Sequence, residues 1–500
     1  MEGKVAKNAR LPHMGRDSAW LAGADIIAVF LALLGQVVLT RALWTESYGL
    51  FVLALDVFAT LFLVIDLGLP TLLARDGPGA PHRIWPSILR IYNLQVKAAL
   101  PFLIAVLLYL PFASSEVSSH ATIMFVCGII ALVHIATYAP RSGLRAAGEA
   151  RLEAWTKILE RGITTAAYLS LYAFGITSVE AYAVAFLFGA LCGLLFALWW
   201  VWKTLRIYDG HTGAQGEMGE AWLNNRNLLL QALPFAITLG VLPYVIRIEK
   251  FIVGLELGVE SAALFHVAQL AWLAGLVIPQ ALRAALLPVL GKVRHQPEEF
   301  SHQMNASLDV CFGLLPIGIF AGAAIVKLFL PIAFPSQYLD GSLGASADDL
   351  FIVLLLGWCF TLLATPTYTA LQAGLHPWRF TFFILIVVGF SAAIGFAFIG
   401  WQADEGLTEG LYAAAYASTL SALFALLSSI HLSRSWNLVL ERSGEWLIAA
   451  SCMTLTCYGL LNGSLFAVAG VALFVFMPQA LRAIGSTVQG NTLPKTIEAE

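Results

Sequence analysis

Long apolar stretches, separated by short segments rich in Gly, Pro and charged residues, run through most of the chain. A membrane-spanning helix needs about 20 apolar residues, because the hydrocarbon core is about 30 Å thick and each helical residue rises about 1.5 Å. This window predicts about fourteen spans, and hence an all-α polytopic membrane protein. The predicted spans cover residues 17–40, 46–73, 84–111, 118–145, 151–174, 178–206, 219–246, 258–290, 303–331, 346–372, 377–400, 409–432, 443–462 and 464–486.

The composition favours the same class. Hydrophobic residues make up 59% and charged residues 12% of the 500 residues, whereas soluble proteins contain about 45–50% and about 25%. So few charges could not cover the surface of a soluble protein of this size. A net charge of −3 without a basic block argues against a nucleic-acid partner. The six cysteines lie in apolar runs without a CxxC pair, so neither a metal site nor a cofactor is predicted.

Most Lys and Arg residues fall in alternate connections between the predicted spans. The connections predicted on the opposite side, 111–119, 175–179, 335–346 and 402–408, contain neither residue. Because cytoplasmic loops are enriched in Lys and Arg, this asymmetry predicts a multi-pass protein of the cytoplasmic (inner) membrane with both termini in the cytoplasm.

A short motif occurs at the start of the second and the eighth predicted span. The two copies read Glu46-Ser47-x-x-Leu50-Phe51-x-x-Ala54 and Glu260-Ser261-x-x-Leu264-Phe265-x-x-Ala268. Six helices separate them, so both copies have the same orientation, as in a parallel pseudo-repeat. The predicted organisation is an N-terminal lobe of six spans (1–206), a cytoplasmic linker (207–220), a C-terminal lobe of six spans (221–433), and spans 13 and 14 with a cytoplasmic tail (434–500).

Three further stretches support a family resemblance. They are Val37-Val38-Leu39-Thr40-Arg41-Ala42-Leu43 followed by Tyr48-Gly49-Leu50-Phe51, Ile65-Asp66-Leu67-Gly68-Leu69 running into Leu73-Ala74-Arg75, and Leu233-Pro234-Phe235 followed by Arg247-Ile248-Glu249-Lys250-Phe251-Ile252-Val253-Gly254. In this order the sequence resembles the multidrug/oligosaccharidyl-lipid/polysaccharide (MOP) exporter superfamily, and within it the oligosaccharide (O-antigen/polysaccharide) flippase family. Many members carry Asp where this chain has Glu249.

This resemblance implies a flippase without covalent chemistry and therefore without catalytic residues. Its substrate would be a lipid-linked oligosaccharide of the polyprenyl-pyrophosphate type, moved across the cytoplasmic membrane for surface polysaccharide or lipopolysaccharide biosynthesis. The two lobes would open alternately around a cationic central cavity. Expected partners are the lipid-linked saccharide, membrane lipids and other polysaccharide assembly proteins, and the transporter is expected to work as a monomer.

Several cations lie where the topology does not require them. Charges within spans are costly in hydrocarbon and usually face a polar cavity or one another. Lys97, for example, lies about 20 Å from the cytoplasmic end of its predicted span. Arg binds phosphate with a bidentate fork and Lys binds it as a compact charge. The candidate substrate-binding cations are Arg41, Lys97, Arg161, Arg247 and Lys250. An interfacial anchor or a structural ion pair is the alternative for each.

Three intramembrane acids are candidates for binding a coupling proton or cation: Asp25, Asp56 and Glu249. Coupling to H⁺, to Na⁺ or to the membrane potential is compatible with the sequence, and pairing of Asp25 or Asp56 with Lys97 is the structural alternative. Lys157, Glu160 and Arg161 share one helix face, which predicts either a closed ion triad or a basic lip at the cytoplasmic mouth.

Two other function classes stay open. A cation-coupled exporter of drugs or other small molecules would use the same fold, with a small acidic cavity and few cations. A membrane-embedded glycosyl polymerase would need a substantial outer loop, or outer arginines and acids, for its chemistry. The outer connections predicted here are short and mostly uncharged.

Overall fold

A computed structural model describes residues 14–61, 65–109, 120–205, 218, 220–374 and 376–490. The predicted outer connection 111–119 lies outside these residues, and so does most of the predicted linker 207–220. Across the described residues the chain is helical and contains no strand, which confirms the all-α class.

The helices follow one another with short connections. The first eight are α1 (Met14–Ala42), α2 (Thr45–Ala59), α3 (Leu69–Asp76), α4 (Ile84–Tyr109), α5 (Ala121–Ala146), α6 (Ala150–Ala173), α7 (Val179–Leu205) and α8 (Asn225–Val241). The next five are α9 (Tyr244–Glu256), α10 (Val259–Gly275), α11 (Val277–Val293), α12 (Pro297–Ala324) and α13 (Ala347–Ala373). The last five are α14 (Pro377–Ala403), α15 (Leu407–Leu432), α16 (Trp436–Glu441), α17 (Ser443–Leu461) and α18 (Met477–Gly490). A 3-10 helix, Leu465–Phe476, leads directly into α18.

Nine helical segments within the described ranges are long and apolar enough to cross a bilayer, and a tenth results if the bent pair α8 and α9 forms one span. These segments make the chain a multi-pass membrane protein. Each predicted span overlaps helical structure, but the count of fourteen stays a prediction.

The pair α8 and α9 bends by 47°. The break falls at Leu242 and Pro243, where proline supplies no N–H and cannot continue the helical hydrogen-bond ladder. One predicted span, 219–246, is therefore a broken helix. Its second half, α9, carries Arg247, Glu249 and Lys250.

The described chain forms two compact units, Met1–Arg247 with Gly258–Ala263, and Ile248–Leu257 with Leu264–Glu500. The domain boundaries at 206 and 433 stay predictions. The predicted linker includes Met218, which is buried and accepts a hydrogen bond from Ser87 Oγ at 3.3 Å. Trp222 follows it and donates to Asp76 Oδ2 at 3.0 Å.

In the first unit, α6 packs on both α1 and α7, and α5 packs on α7. The repeated sequence motif begins a helix in both of its copies, at Thr45 in α2 and at Val259 in α10. These two starts meet, because a Cβ at Gly49 would lie only 2.2 Å from the Val259 carbonyl oxygen. Glycine at position 49 therefore permits the close approach of the two repeats.

In the second unit, α13 is the most enclosed helix and packs on α11, α12 and α15. Helices α14 and α15 pack side by side, with the rings of Phe390 and Phe424 stacked at 4.0 Å. The 3-10 helix folds back on α17, and the turn is tight enough that a Cβ at Gly459 would lie 2.0 Å from the Ala467 nitrogen.

The packing of α7 on α6 yields a stability prediction. A Cβ at Gly193 would lie 2.8–3.0 Å from the Glu160 side chain, so Gly193→Ala should lower the free energy of unfolding by about 1–3 kcal/mol through overpacking. Thermal unfolding of the purified protein in detergent measures this. Gly162→Ala in α6 is the matched control, because nothing lies within 4 Å of its Cβ position. Equal melting temperatures for the two variants would contradict the packing described here.

Candidate functional site

Helix α9 presents Arg247 to a buried carboxylate. The guanidinium Nη1 lies 3.3 Å from Asp56 Oδ1, and Asp56 belongs to α2. The Asp56 side chain is 10% exposed, whereas that of Arg247 is 37% exposed. Asp56, a candidate for ion coupling, and Arg247, a candidate for substrate binding, are thus brought together as an ion pair. Each compensates the charge of the other in a partly buried contact.

Lys250, three residues further along α9, is buried and has a different partner. Its Nζ lies 3.0 Å from Nδ1 of His266, a residue of α10 that is also buried. An ammonium group has only donors, so His266 accepts this hydrogen bond with an unprotonated Nδ1. Through this contact a buried cation of α9 is joined to α10.

Glu249 lies between these two cations in the sequence but points elsewhere, because successive residues of an α-helix are rotated by about 100°. It is 1% exposed. Its Oε1 accepts from Ser421 Oγ of α15 at 3.3 Å, and its Oε2 has no hydrogen-bond partner among the described residues. A buried carboxylate with an unused oxygen beside a hydroxyl offers the donor atoms that a proton or a hard cation needs.

Arg161 stacks over the ring of Phe186 at 5.7 Å. The ion triad expected within α6 does not form as predicted. Glu160 instead binds Arg141 Nη2 at 2.5 Å and lies 3.2 Å from His134 Nε2, both on α5. Lys157 binds Asp25 of α1 at 2.8 Å. The reason is that α5 and α1 flank α6. Helix α5 presents a guanidinium to Glu160 and α1 presents a carboxylate to Lys157, so both residues pair with a neighbouring helix and not within α6.

Arg41 and Lys97 are exposed on α1 and α4 respectively. Lys97 has no ion pair with any described acid. Two residues before it, Gln95 is buried and donates to the Asp66 carbonyl oxygen at 3.5 Å. Arg161, Arg247 and Lys250 have partners of three different kinds. The roles of the candidate cations in substrate binding stay predictions.

Two ion-pair groups could not be derived from the sequence. Arg141 and His134, which are not among the candidate residues, both contact Glu160. Arg442 binds both Asp309 and Glu445, at 2.5 Å for Asp309, and ties α17 to α12. In the sequence, only the three-residue spacing of Arg442 and Glu445 indicates a contact. The other partners lie on different helices, which spacing cannot relate.

The family comparison concerns the half of the chain that contains most of these contacts. A family described as "Polysaccharide biosynthesis protein" matches residues 14–294, more than half of the chain. The chain belongs to this polysaccharide biosynthesis protein family. The match includes every candidate site residue, from Asp25 to Lys250. No curated protein matches the chain.

Solved structures show that this family member has the MOP-superfamily transporter fold. An outward-facing multidrug resistance MATE transporter of that superfamily is similar with a TM-score of 0.59 and 16% identity, over 84% of this chain and 95% of the other. An inward-facing multidrug resistance MATE transporter of that superfamily has a TM-score of 0.59 and 18% identity, over 83% of this chain and 96% of the other. A MOP-superfamily transporter from Pyrococcus furiosus, described as having a binding pocket of reverse polarity, has a TM-score of 0.56 and 18% identity, over 88% and 99%.

The Asp56–Arg247 pair yields a prediction about energetic coupling. Asp56→Asn and Arg247→Gln should each lower the free energy of unfolding. The double variant should lose less free energy than the sum of the two single losses, because the two charges compensate each other. The expected coupling is about 1 kcal/mol. Unfolding in mixed detergent micelles measures the cycle.

The pair of Lys157 and Asp25, whose carboxylate is 52% exposed, is the control for that cycle. Lys157→Gln and Asp25→Asn should give a smaller coupling than the Asp56–Arg247 cycle, since an exposed charge pair is screened and contributes little. Additive effects in the Asp56–Arg247 cycle would show that the contact contributes nothing to folding.

A second prediction concerns the surroundings of Lys97. With the six native cysteines replaced, Lys97→Cys should react with a membrane-impermeant thiol reagent, because a cavity-lining position is reached from water. Ala99→Cys should not react, since Ala99 is buried. Failure of the cysteine at position 97 to react in any transport state would place that side chain in lipid and remove it from the cavity.

Proposed function

We propose that this protein is a flippase that moves a lipid-linked oligosaccharide of the polyprenyl-pyrophosphate type from the cytoplasmic to the outer leaflet of the cytoplasmic membrane. The observation that carries the proposal is the match to the polysaccharide biosynthesis family over residues 14–294. The two lobes open alternately around a polar cavity, and both termini lie in the cytoplasm. The product serves surface polysaccharide or lipopolysaccharide assembly.

The chemistry of the substrate explains the need for intramembrane cations. Sugar hydroxyls and a pyrophosphate lose water on entering hydrocarbon, and each uncompensated polar group costs several kcal/mol. Arg and Lys side chains replace part of that hydration. We assign this role to Arg41, Lys97, Arg161, Arg247 and Lys250. The lipid tails need no such site, because they stay in the bilayer.

The partners of Arg247 and Lys250 support a mechanism of exchange. Without substrate, Asp56 compensates Arg247 and His266 holds Lys250. In the proposed mechanism, the pyrophosphate takes over one or both cations as the lobes rearrange. In this mechanism Arg247 and Lys250 have partners before the substrate binds. The pyrophosphate must then compete with Asp56 and His266 for these two cations.

Glu249 is the preferred site for a coupling ion among the three acids. Asp25 and Asp56 each bind a cation of the protein, Lys157 and Arg247 respectively. Glu249 has instead the Ser421 hydroxyl and an oxygen without a hydrogen-bond partner among the described residues. In this proposal Glu249 binds H⁺ or Na⁺, and the membrane potential is the alternative source of energy.

A cation-coupled multidrug exporter is the second candidate. Multidrug MATE transporters share the fold of this chain, and the buried Glu249 would suit an exporter that couples efflux to a cation. The family match and the cations Arg247 and Lys250 favour the anionic lipid-linked substrate. A glycosyl polymerase is the least supported alternative, because the family and fold relatives are transporters.

Neutralising both cations of α9 tests the proposal. Arg247→Gln with Lys250→Gln should abolish delivery of the lipid-linked saccharide to the outer leaflet, because the pyrophosphate would then lose its compensating charges. Proteoliposomes containing the purified protein and a lipid-linked oligosaccharide measure this directly, with imposed pH, Na⁺ or potential gradients identifying the driving ion. Surface polysaccharide in cells provides the second readout.

The control is Arg294→Gln with Arg482→Gln, which removes the same charge from two exposed residues that are not among the candidate site residues. It should transport at the wild-type rate. Normal flipping by a well-expressed Arg247→Gln/Lys250→Gln variant would rule out the cationic cavity. Efflux of small cationic drugs by the wild-type protein, together with no saccharide flipping, would favour the exporter.

A further inference from the structure

A basic pocket in the second unit lies apart from every candidate site residue. It is formed where α14 begins and α15 ends, and its lining residues are Arg379, Phe382, His431, Leu432 and Arg434. Two of the lining side chains are permanent cations and none is an acid. The family resemblance and the proposed transport mechanism use none of them.

The depth of this pocket follows from the lengths of its helices. Helices α14 and α15 contain 27 and 26 residues, which corresponds to about 40 Å each. The hydrocarbon core is only about 30 Å thick, so the helix ends reach the headgroup layer. Trp378 and Trp436, 50% and 40% exposed, flank the pocket. Tryptophan is enriched at this level of the bilayer, because its ring is apolar and its N–H is polar.

The two arginines are available for a ligand. Arg379 and Arg434 are exposed, and neither forms an ion pair with an acid in the described parts of the chain. Arg442, nearby in the sequence, differs because Asp309 and Glu445 both bind it. Arg434 also has a left-handed backbone, with φ of 58°, in the turn between α15 and α16. Such a conformation is strained for a side chain of this size.

His431 adds a donor. Trp436 Nε1 donates to His431 Nδ1 at 3.3 Å. An imidazole that accepts at Nδ1 carries its proton on Nε2, which is therefore a donor. The pocket combines two guanidinium forks and an imidazole N–H with the exposed ring of Phe382, which is 58% exposed. This set suits a phosphate joined to an apolar chain.

We propose that this pocket binds the phosphate headgroup of an anionic membrane phospholipid. The guanidinium groups of Arg379 and Arg434 hold the phosphate, and an acyl chain runs along Phe382 and the apolar face of α14. An anionic lipid is favoured over a zwitterionic one because the lining offers no carboxylate to a choline or ethanolamine cation. The predicted topology places this pocket in the cytoplasmic leaflet, whose anionic lipids attract clustered Arg and Lys.

The test uses the full-length protein in detergent, titrated with phosphatidylglycerol and followed by thermal unfolding and by native mass spectrometry. Phosphatidylcholine with the same acyl chains and inorganic phosphate are titrated in parallel. The variant is Arg379→Gln with Arg434→Asn, because Asn tolerates the left-handed backbone at position 434. Arg294→Gln with Arg482→Gln is the charge-matched control.

Phosphatidylglycerol should raise the melting temperature of the wild-type and control proteins, and its affinity for the pocket variant should fall at least about tenfold. Equal stabilisation by phosphatidylcholine would overturn the proposal, as would an equal loss in the control variant. Stabilisation by inorganic phosphate as large as that by the lipid would make this a free-phosphate site. If the double variant does not fold, Arg379→Gln alone must show the same selective loss.

Discussion

Compensation of charge inside an apolar helix bundle is the constraint on which the first unit depends. A carboxylate at the position of Glu160 would be costly if it were unpaired, because neither lipid nor an apolar interior hydrates it. Arg141 and His134 of α5 supply that compensation, and glycines of α7 leave room for the side chain. One acid thereby fixes the depth and rotation of three helices relative to one another.

The same constraint gives the candidate site its form. Asp56 with Arg247, and Lys250 with His266, are contacts that make intramembrane charge tolerable in a protein without substrate. In the proposed mechanism they also set a threshold for binding, because an anionic headgroup must interact with the cations more favourably than these partners do. Affinity and release then depend on exchange between nearly balanced contacts, which would allow the proposed substrate to leave.

The sequence was sufficient to predict the helices but not to predict which helices contact one another. Apolar length located the spans, because the bilayer imposes it directly. The order of short motifs led to the polysaccharide family and to the fold. Helical spacing put Lys157, Glu160 and Arg161 on one face, but it carries no information about which helix covers that face. Lys157 pairs with Asp25 of α1 and Glu160 pairs with Arg141 of α5, neither of which helical spacing could identify. Pro243, at the bend between α8 and α9, marks the break in the seventh predicted span.

The 3-10 helix Leu465–Phe476 has a consequence for the position of the last span. Its 12 residues rise by about 2.0 Å each and extend about 24 Å, whereas an α-helix of the same length would extend about 18 Å. Rewinding it as an α-helix would shorten the segment by roughly one turn and draw Arg482 toward the hydrocarbon. In the predicted topology, the tighter winding would act as a spacer that holds Arg482 farther along the span, toward the cytoplasmic water.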